Sequence, residues 1–342
     1  MDGVVNPNQT KKCRIVDSGG FLLERTTNDT DDLGSDEGGG LIVHPSWSSF
    51  HQNIYPPIKE IRARTSMSFL QLLVLALVQG ITEFLPISSS AHLVVAPMLV
   101  DSWQDQGPVI DVAAHVGSLF AVLLYFRADT MRLVQGGFDT LRFRQSEDRE
   151  LFLFLALASL PFLTIGMIVA LTGIIDHLRS AFVIGLASII FGAWLWHADR
   201  RPSDISENTP RVDTLTLRHA MLVGCAQIFA IIPGASRSGV TMTASRYLGW
   251  SRAEGAKLSM LLAIPTIAAL GLLAGLDLIT GQVSDAEPLA ALIVAVLSFI
   301  SAYAAIFWMM GYIQRASFTP FVIYRIIFGV ALLILAAGPL GA

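Results

Sequence analysis

Four stretches of this 342-residue chain each run 17 to 26 residues without an Asp, Glu, Lys or Arg. They are residues 151–172, 180–196, 258–276 and 288–313. Helices of that length cross, or nearly cross, a hydrocarbon core of about 30 Å. Two further stretches, 110–126 and 319–338, are equally apolar except for Asp111 and Arg325. The sequence therefore predicts six membrane-spanning helices.

Composition excludes most soluble functions. Hydrophobic residues make up 53% of the chain and charged residues only 15%, whereas soluble domains carry about 25% charged residues. The net charge of −4 gives no reason to expect a nucleic acid partner. The two cysteines, Cys13 and Cys225, lie in very different segments, which argues against a disulfide framework or a thiolate metal site.

The first 66 residues differ from the rest. They are rich in charge, contain a run of three glycines and lack a long apolar stretch, which is typical of a disordered tail. They also lack the apolar core and cleavage site of a signal peptide. Met67 opens the apolar region, so we expect residues 1–66 to be dispensable or a misassigned start. Residues 67–342 are then one integral membrane domain.

Two apolar stretches, 69–100 and 215–250, are interrupted near their middle by proline and a serine cluster. The first interruption reads Glu-Phe-Leu-Pro-Ile-Ser-Ser-Ser-Ala-His over 83–92, and the second Ile-Ile-Pro-Gly-Ala-Ser-Arg-Ser-Gly over 231–239. Backbone can break at membrane depth only where protein or a wet cavity surrounds it. Two such segments in matching positions indicate a binding site near the bilayer midplane.

The order of segments predicts an internal repeat. Residues 68–198 and 215–338 each contain one broken hairpin followed by three spans. Because three is odd, the second half enters the membrane with the opposite orientation. The predicted fold is therefore an all-α polytopic membrane protein of two inverted repeats, each a re-entrant hairpin plus three transmembrane helices. A shared core aligns Pro86 and Ser89 with Pro233 and Ser236.

Loop charge predicts the orientation. Loops 127–150 and 199–218 carry nine arginines, whereas loops 101–109 and 281–287 carry no Lys or Arg. Positive loops stay in the cytoplasm, so the first hairpin enters from the outside. Three positive residues of the tail, Lys59, Arg62 and Arg64, conflict with this assignment but are outnumbered by the nine.

Arg237 lies between two serines in an otherwise uncharged apolar run. An arginine at membrane depth costs at least about 2.5 kcal/mol, so it faces a partner or a cavity. Its planar fork suits phosphate or carboxylate, and the following half-helix offers free N–H groups to an anion. An anion site is one interpretation, and an ion pair with Glu83 is the other.

Glu83 is the counterpart of Arg237 in the first hairpin. Its carboxylate can be a general base, a metal ligand or half of an ion pair. Ser89 and His92 lie three residues apart, on one helix face. A serine beside a histidine is the minimal arrangement for an activated hydroxyl nucleophile, and helix capping is the structural alternative. His115, four residues after Asp111, is interpreted as a local hydrogen-bond partner.

Residues 79–92 and 233–241 together resemble the undecaprenyl-diphosphate phosphatase (bacitracin resistance) family. The motifs are Gln-Gly-Ile-Thr-Glu-Phe-Leu-Pro-Ile-Ser-Ser-Ser-Ala-His and Pro-Gly-Ala-Ser-Arg-Ser-Gly-Val-Thr. Shorter matches occur at 259–265 and 324–326, and the likeness covers residues 68–338.

The resemblance implies hydrolysis of undecaprenyl diphosphate to the monophosphate and phosphate, which recycles the carrier lipid for peptidoglycan and confers bacitracin resistance. It implies a divalent cation, Mg²⁺ or Ca²⁺, and an active site opening to the outer side of a bacterial inner membrane. The implied catalytic residues are Glu83, Ser89, His92 and Arg237. The phosphate-binding set is Ser88, Ser90, Ser236, Arg237, Ser238 and Thr241. Glu83 is the implied metal ligand, and Gln79 stands where better-known members have a second glutamate.

Three questions stay open at this stage. A secondary transporter would show the same broken helices as an enzyme, and phosphate release from a lipid diphosphate distinguishes the two. Within the enzyme hypothesis, either Ser89 assisted by His92 or a water molecule attacks phosphorus. The expected partners are a polyprenyl diphosphate lipid and the bilayer, without nucleic acid, and the assembly is a monomer or a homodimer.

Overall fold

Each long apolar stretch forms helix in the computed structural model, which describes residues 11–16, 22–27, 68–100, 103, 107–202, 209–279 and 288–338. The α-helices are α1 (Phe69–Phe84), α2 (Ser89–Leu99), α3 (Gly107–Tyr125), α4 (Arg127–Leu141), α5 (Glu147–Leu171), α6 (Ile174–Leu178), α7 (Ala181–Asp199), α8 (Leu217–Ala226), α9 (Arg237–Tyr247), α10 (Arg252–Ile279), α11 (Pro288–Ile313) and α12 (Thr319–Ala337). Two 3₁₀ turns, Val212–Thr214 and Gln227–Ile231, lie on either side of α8.

Among the described residues, five helices are long and apolar enough to span a membrane, namely α5, α7, α11, α12 and Arg252–Leu273 of α10. The part of α3 from Val109 onward passes the same test only together with α4, which is bent from it by 98°. The prediction of six spans is therefore confirmed for five, and the bent pair supplies the sixth if it is counted as one span. The chain is a multi-pass membrane protein.

The arginine-rich segment 127–150 is predicted from the sequence as a loop, and this prediction is wrong for its first part, which is helix α4. Met131, Val134, Phe138 and Leu141 recur every three to four residues, and all four are exposed. The same helix and the residues after it carry arginines. An exposed apolar stripe beside arginines is typical of a helix that lies along a membrane surface. Charge counting alone misses such a helix.

Both broken hairpins form where the serine clusters predict them. Helix α1 ends at Phe84 and α2 begins at Ser89, and the second hairpin breaks before α9 begins. The residue preceding each second helix, Ser88 or Ser236, has a positive φ of 76° or 70°. Such a conformation costs a non-glycine residue about 1–3 kcal/mol and is concentrated at functional sites.

The two hairpins can be aligned by their prolines or by the first residues of their second helices, and the two alignments differ by one residue. Counting from the prolines, as in the sequence-based prediction, pairs Ser89 with Ser236. The structure places Ser89 opposite Arg237, because each is the first residue of its helix. The second turn is longer by one residue, and Gly234 adopts a φ of 94° within it, which is a conformation that glycine adopts without strain.

Close packing of small residues brings α11 against α1 and α3. A Cβ on Gly80 of α1 would overlap the Ser301 hydroxyl and the Ser298 carbonyl of α11. Gly117 of α3 lies equally close to the carbonyl of Ala295. Membrane helices commonly approach through small residues in this way.

The largest buried apolar cluster in the described part of the chain extends from the tip of the first hairpin along α9, α10 and α11. It includes Phe84 of α1, Met242 of α9, Leu261 of α10 and Ile306 of α11, and each of these is at most 1% exposed. Close-packed interiors of this kind have little freedom to rearrange. The hairpin ends are therefore held next to each other.

The chain divides into two units, residues 1–45 and 46–342. In the first unit, Lys11–Val16 and Leu22–Thr27 form an antiparallel pair, β1 and β2, with Lys11 opposite Thr27. These strands differ from the disordered tail predicted from the sequence, and an isolated two-stranded hairpin is at best marginally stable. The rest of 1–66 lies outside the described residues, so disorder there stays a prediction.

Candidate active site

The carboxylate of Glu83, near the end of α1, is the point where the two hairpins meet. It is 8% exposed. Its Oε1 accepts a hydrogen bond from Nη2 of Arg237 at 2.7 Å. Its Oε2 accepts from Oγ of Ser89 at 2.5 Å and from Nε2 of Gln79 at 3.0 Å, and Nε2 of His115 lies 3.7 Å away. These contacts offset the cost of burying a charge.

Arg237 is the first residue of α9, and it reaches across to the first hairpin. Its Nη1 donates to Oγ1 of Thr266 at 3.2 Å, while Nη2 donates to Glu83. The ion pair that the sequence left as an alternative is therefore present. An arginine has five N–H donors in a planar fork, so this pair leaves donors for an oxyanion. The two interpretations are compatible.

His92 is not placed to activate Ser89. Its Nδ1 lies 2.7 Å from the carbonyl oxygen of Ser88, which can only accept, so Nδ1 carries a proton. Its Nε2 lies 2.5 Å from the hydroxyl of Tyr324, and its ring stacks on Phe328. The predicted Ser89–His92 pair is therefore not formed, and His92 instead ties the start of α2 to α12.

His115, rather than His92, is the histidine that lies next to the Glu83 carboxylate. Its Nδ1 donates to the backbone oxygen of Asp111 at 2.7 Å, which confirms the predicted local contact. Its Nε2 faces Oε2 of Glu83 at 3.7 Å. The sequence offered one signal, a histidine inside an apolar span. Which carboxylate it faces depends on how α3 packs against α1.

Two of the predicted phosphate ligands join the hairpin tips to each other. Oγ of Ser88 accepts a hydrogen bond from the backbone N–H of Gly234 at 3.2 Å. Oγ of Ser238 donates to the carbonyl of Leu85 at 2.8 Å. Ser90 is exposed, and its hydroxyl lies 3.3 Å from that of Ser88. Of these three serines, Ser90 has the side chain most accessible to a ligand.

The other two predicted hydroxyl ligands support α9. Oγ of Ser236 accepts from the backbone N–H of Gly239 at 3.1 Å and so caps the helix. Thr241 is fully buried, and its Oγ1 donates to Oγ of Ser259 on α10 at 2.7 Å. The start of α2, in contrast, has no side-chain cap from Ser88. Its first N–H groups suit an anion.

Arg325 of α12 holds both hairpin tips, a role the sequence did not reveal. It is fully buried, and its Nη2 donates to the carbonyls of Gly234 and Ala235, each at 2.8 Å. Its Nη1 donates to the carbonyl of Pro86 at 3.3 Å. Carbonyl groups freed where a helix breaks have no water to bind at membrane depth. The one sequence feature that could have indicated this role is that Arg325 is a lone arginine in an apolar span.

Two side chains that carry oxygen atoms, Gln79 and Glu83, lie on one face of α1. Among the described residues, no group of three or more His, Cys, Asp and Glu side chains could hold a metal ion. Gln79 is fully buried, and its Oε1 lacks a hydrogen-bond partner within that part of the chain. Mg²⁺ is commonly bound by one or two protein oxygens, substrate phosphates and water. Gln79 and Glu83 fit that requirement.

This arrangement defines a class of molecule, a multi-pass membrane protein with a buried polar site between two broken helix hairpins. The chain belongs to the family described as bacitracin resistance protein BacA, whose model matches residues 72–331. The resemblance drawn from the two motifs is therefore confirmed. The match begins beyond the predicted tail.

Three relatives illustrate the similarity. The undecaprenyl-diphosphatase of Maricaulis maris (strain MCS10) is 47% identical over 270 residues, which cover 78% of this chain and 99% of that protein. The protein of the same name from Jannaschia sp. (strain CCS1) is 46% identical, covering 79% and 99%. That from Hahella chejuensis (strain KCTC 2396) is 44% identical, covering 78% and 98%.

Replacing Arg325 with lysine should destabilise the site. A lysine ammonium cannot reach three carbonyl groups in the geometry of a guanidinium, and each lost charged hydrogen bond costs about 1.5–3 kcal/mol. We expect Arg325→Lys to melt at a lower temperature in detergent than the parent protein. Arg315→Lys, at an exposed arginine, is the matched control, and equal melting temperatures for both variants would contradict this role.

Proposed function

We infer that this chain is an undecaprenyl-diphosphatase, which hydrolyses undecaprenyl diphosphate to undecaprenyl phosphate and inorganic phosphate. The observation that carries the inference is the meeting of Arg237 and Ser89 on the carboxylate of Glu83. It occurs in a chain 41–47% identical to proteins of that name, which favours an enzyme over a transporter. The reaction returns the carrier lipid to peptidoglycan synthesis and underlies bacitracin resistance.

The diphosphate binds between Arg237 and the start of α2. Its oxygens compete with Glu83 for the guanidinium, whose fork suits a phosphate. The uncapped N–H groups at the start of α2 add partial positive charge. Ser90, exposed in the first turn of α2, is the hydroxyl ligand that this geometry favours.

Ser89 supplies the nucleophile. Its Oγ attacks the terminal phosphorus while its proton passes to Oε2 of Glu83, which lies 2.5 Å away. The bond from phosphorus to the oxygen of the lipid monophosphate breaks, and Arg237 stabilises the developing charge. Water then hydrolyses the phosphoserine and releases phosphate. His115, with Nε2 facing Glu83, holds the transferred proton between the two steps.

Direct attack by a water molecule, positioned by Glu83, is the other route. It uses the same contacts of Arg237 and differs only in the nucleophile. Acid quenching during turnover, followed by mass spectrometry, distinguishes the two routes. A phosphoserine at Ser89 supports the covalent route, and undiminished turnover of Ser89→Ala would contradict it.

A divalent cation, Mg²⁺ or Ca²⁺, is the proposed cofactor. Oε1 of Gln79 and the carboxylate of Glu83 would hold it, together with oxygens of the substrate and water. The cation would neutralise charge on the phosphate oxygens. Because Gln79 brings no charge, we expect weaker binding than in a site with two glutamates.

The two halves of the membrane part are inverted repeats in this proposal. Helix α11 packs against α1 and α3, while α5 packs against α8 and α10, which are their counterparts in the other half. Helices α7 and α12, the last of each half, pack against each other. A two-fold axis in the membrane plane would produce these contacts.

The site is proposed to open to the periplasmic side. The arginine-rich segments 127–150 and 199–218 favour the cytoplasm. A variant with Ser90→Cys, Cys13→Ser and Cys225→Ser should react with a membrane-impermeant thiol reagent added outside the cells. Labelling only from the cytoplasmic side of inverted vesicles would reverse the orientation.

Arg237→Lys tests the phosphate-binding role. Lysine keeps the charge but loses the planar fork, and removal of one transition-state donor lowers kcat by about 10²–10³-fold. We expect a folded protein that releases phosphate from undecaprenyl diphosphate at least about 100-fold more slowly. Arg218→Lys, at an exposed arginine, should keep full activity. Near-normal turnover of Arg237→Lys would show that the residue only pairs with Glu83.

Gln79→Glu tests the cation site. Two adjacent buried carboxylates repel each other unless a cation lies between them, so the variant should melt lower than the parent protein in a chelator. Mg²⁺ should restore its melting temperature, because a ligand stabilises the state that it binds. Gln314→Glu, at an exposed residue, should show no such response. If Mg²⁺ does not change the melting temperature of Gln79→Glu, Gln79 does not belong to the cation site.

A further inference from the structure

A cavity of about 480 Å³ lies where α7 ends and α12 begins, away from the Glu83 site. Four of its lining residues are arginines, namely Arg200, Arg201, Arg246 and Arg252. Arg246 lies nine residues after Arg237 on α9, which is about 14 Å along a helix axis. The cavity is therefore at the opposite end of α9 from the residues that meet on Glu83.

A single carboxylate, that of Asp199, faces these arginines inside the cavity. Its Oδ1 lies 2.5 Å from Nε of Arg252 and 3.8 Å from Nε of Arg246. Its Oδ2 accepts a hydrogen bond from the backbone N–H of Phe318 at 2.9 Å. The single negative charge of Asp199 therefore neutralises only one of the two positive charges of Arg246 and Arg252, and the carboxylate has little capacity to pair with further cations.

Arg246 is built into the wall of the cavity. It is 2% exposed, and its Nη1 and Nη2 donate to the carbonyls of Trp250 and Arg201 at 2.6 Å and 2.5 Å. Carbonyl groups hold the guanidinium in place but do not cancel its charge. Its Nε has no hydrogen-bond partner among the described residues. A buried positive charge without full compensation attracts an anion.

Arg200 and Arg201 form the exposed rim of the cavity. The guanidinium of Arg200 lies 4.2 Å from the ring centre of Trp196, and that of Arg201 lies 4.6 Å from the ring centre of Tyr247. Neither forms an ion pair with a carboxylate in the part of the chain that the structure describes. Stacking uses the flat face of a guanidinium and leaves its N–H edge available for a bidentate anion.

Two hydroxyl side chains and an exposed tryptophan also line the cavity. Ser317 and Thr319 line the cavity, and their hydroxyls lie 2.9 Å apart. Trp196 is 41% exposed on a membrane-spanning helix. Tryptophan and tyrosine are enriched at the level of lipid headgroups, and basic pockets between membrane helices bind such headgroups.

We propose that this cavity binds the phosphate group of an anionic membrane lipid at the arginine-rich end of the molecule. Arg200 and Arg201 bind the phosphate through their N–H groups, and the hydroxyls of Ser317 and Thr319 form hydrogen bonds with it. The acyl or prenyl chain lies along the exposed apolar side of α7. The site does not depend on the proposed hydrolysis, because none of its residues touches Glu83. A phosphodiester or a phosphomonoester can supply the headgroup.

The test compares two variants of equal charge in the purified full-length protein. Arg200→Gln with Arg201→Gln removes the rim, and Arg142→Gln with Arg144→Gln removes two exposed arginines outside the cavity. Calorimetry in neutral detergent measures binding of dioctanoyl phosphatidylglycerol, farnesyl phosphate, inorganic phosphate and dioctanoyl phosphatidylcholine. Unchanged far-ultraviolet circular dichroism and melting temperatures confirm that both variants are folded.

We expect phosphatidylglycerol or farnesyl phosphate to bind the rim variant at least tenfold more weakly than the parent protein, while the other variant changes less than twofold. Any binding at the Glu83 site is common to both variants, and the stronger lipid identifies the headgroup. Equal weakening in both variants would mean general charge attraction and would overturn the proposal. Inorganic phosphate binding as tightly as the lipids, or phosphatidylcholine binding equally well, would also overturn it.

Discussion

Carbonyl groups at the tips of two broken helices are the constraint on which the rest of this structure depends. Inside a membrane helix every carbonyl is bonded within the helix, and at a break that partner is lost where no water replaces it. Arg325 donates to Pro86, Gly234 and Ala235, and Ser238 donates to Leu85. Because one arginine serves both breaks, the two hairpin tips must lie together.

That arrangement concentrates chemistry on one carboxylate. With the tips in contact, the first residues of α2 and α9, Ser89 and Arg237, approach Glu83 from two sides. The proposed nucleophile, the carboxylate proposed to accept its proton and the guanidinium proposed to bind phosphate thus lie within hydrogen-bond distance of one another through Glu83. The strained backbone at Ser88 and Ser236 is the local cost of presenting both helix starts to the same point.

Helix α9 connects two positively charged regions of different design. At its start, Arg237 pairs with Glu83, where we propose that the substrate binds. At its end, Arg246 lies in a cavity whose arginines exceed its carboxylates. A lipid held there would position the molecule relative to the headgroups, and the proposed hydrolysis would take place at the other end of α9. The amphipathic helix α4 would add a second contact with the membrane surface.

The sequence by itself determined the apolar spans, both helix breaks and the residue types of the site. Uncharged runs and Pro–Ser interruptions are local features, and burying Arg237 at membrane depth requires a partner wherever the chain folds. Only the tertiary structure decided which histidine faces Glu83, that Ser89 lies opposite Arg237, and that Arg325 joins the tips. Those contacts link residues up to 239 positions apart. They depend on how whole helices pack, which no local pattern of residues encodes.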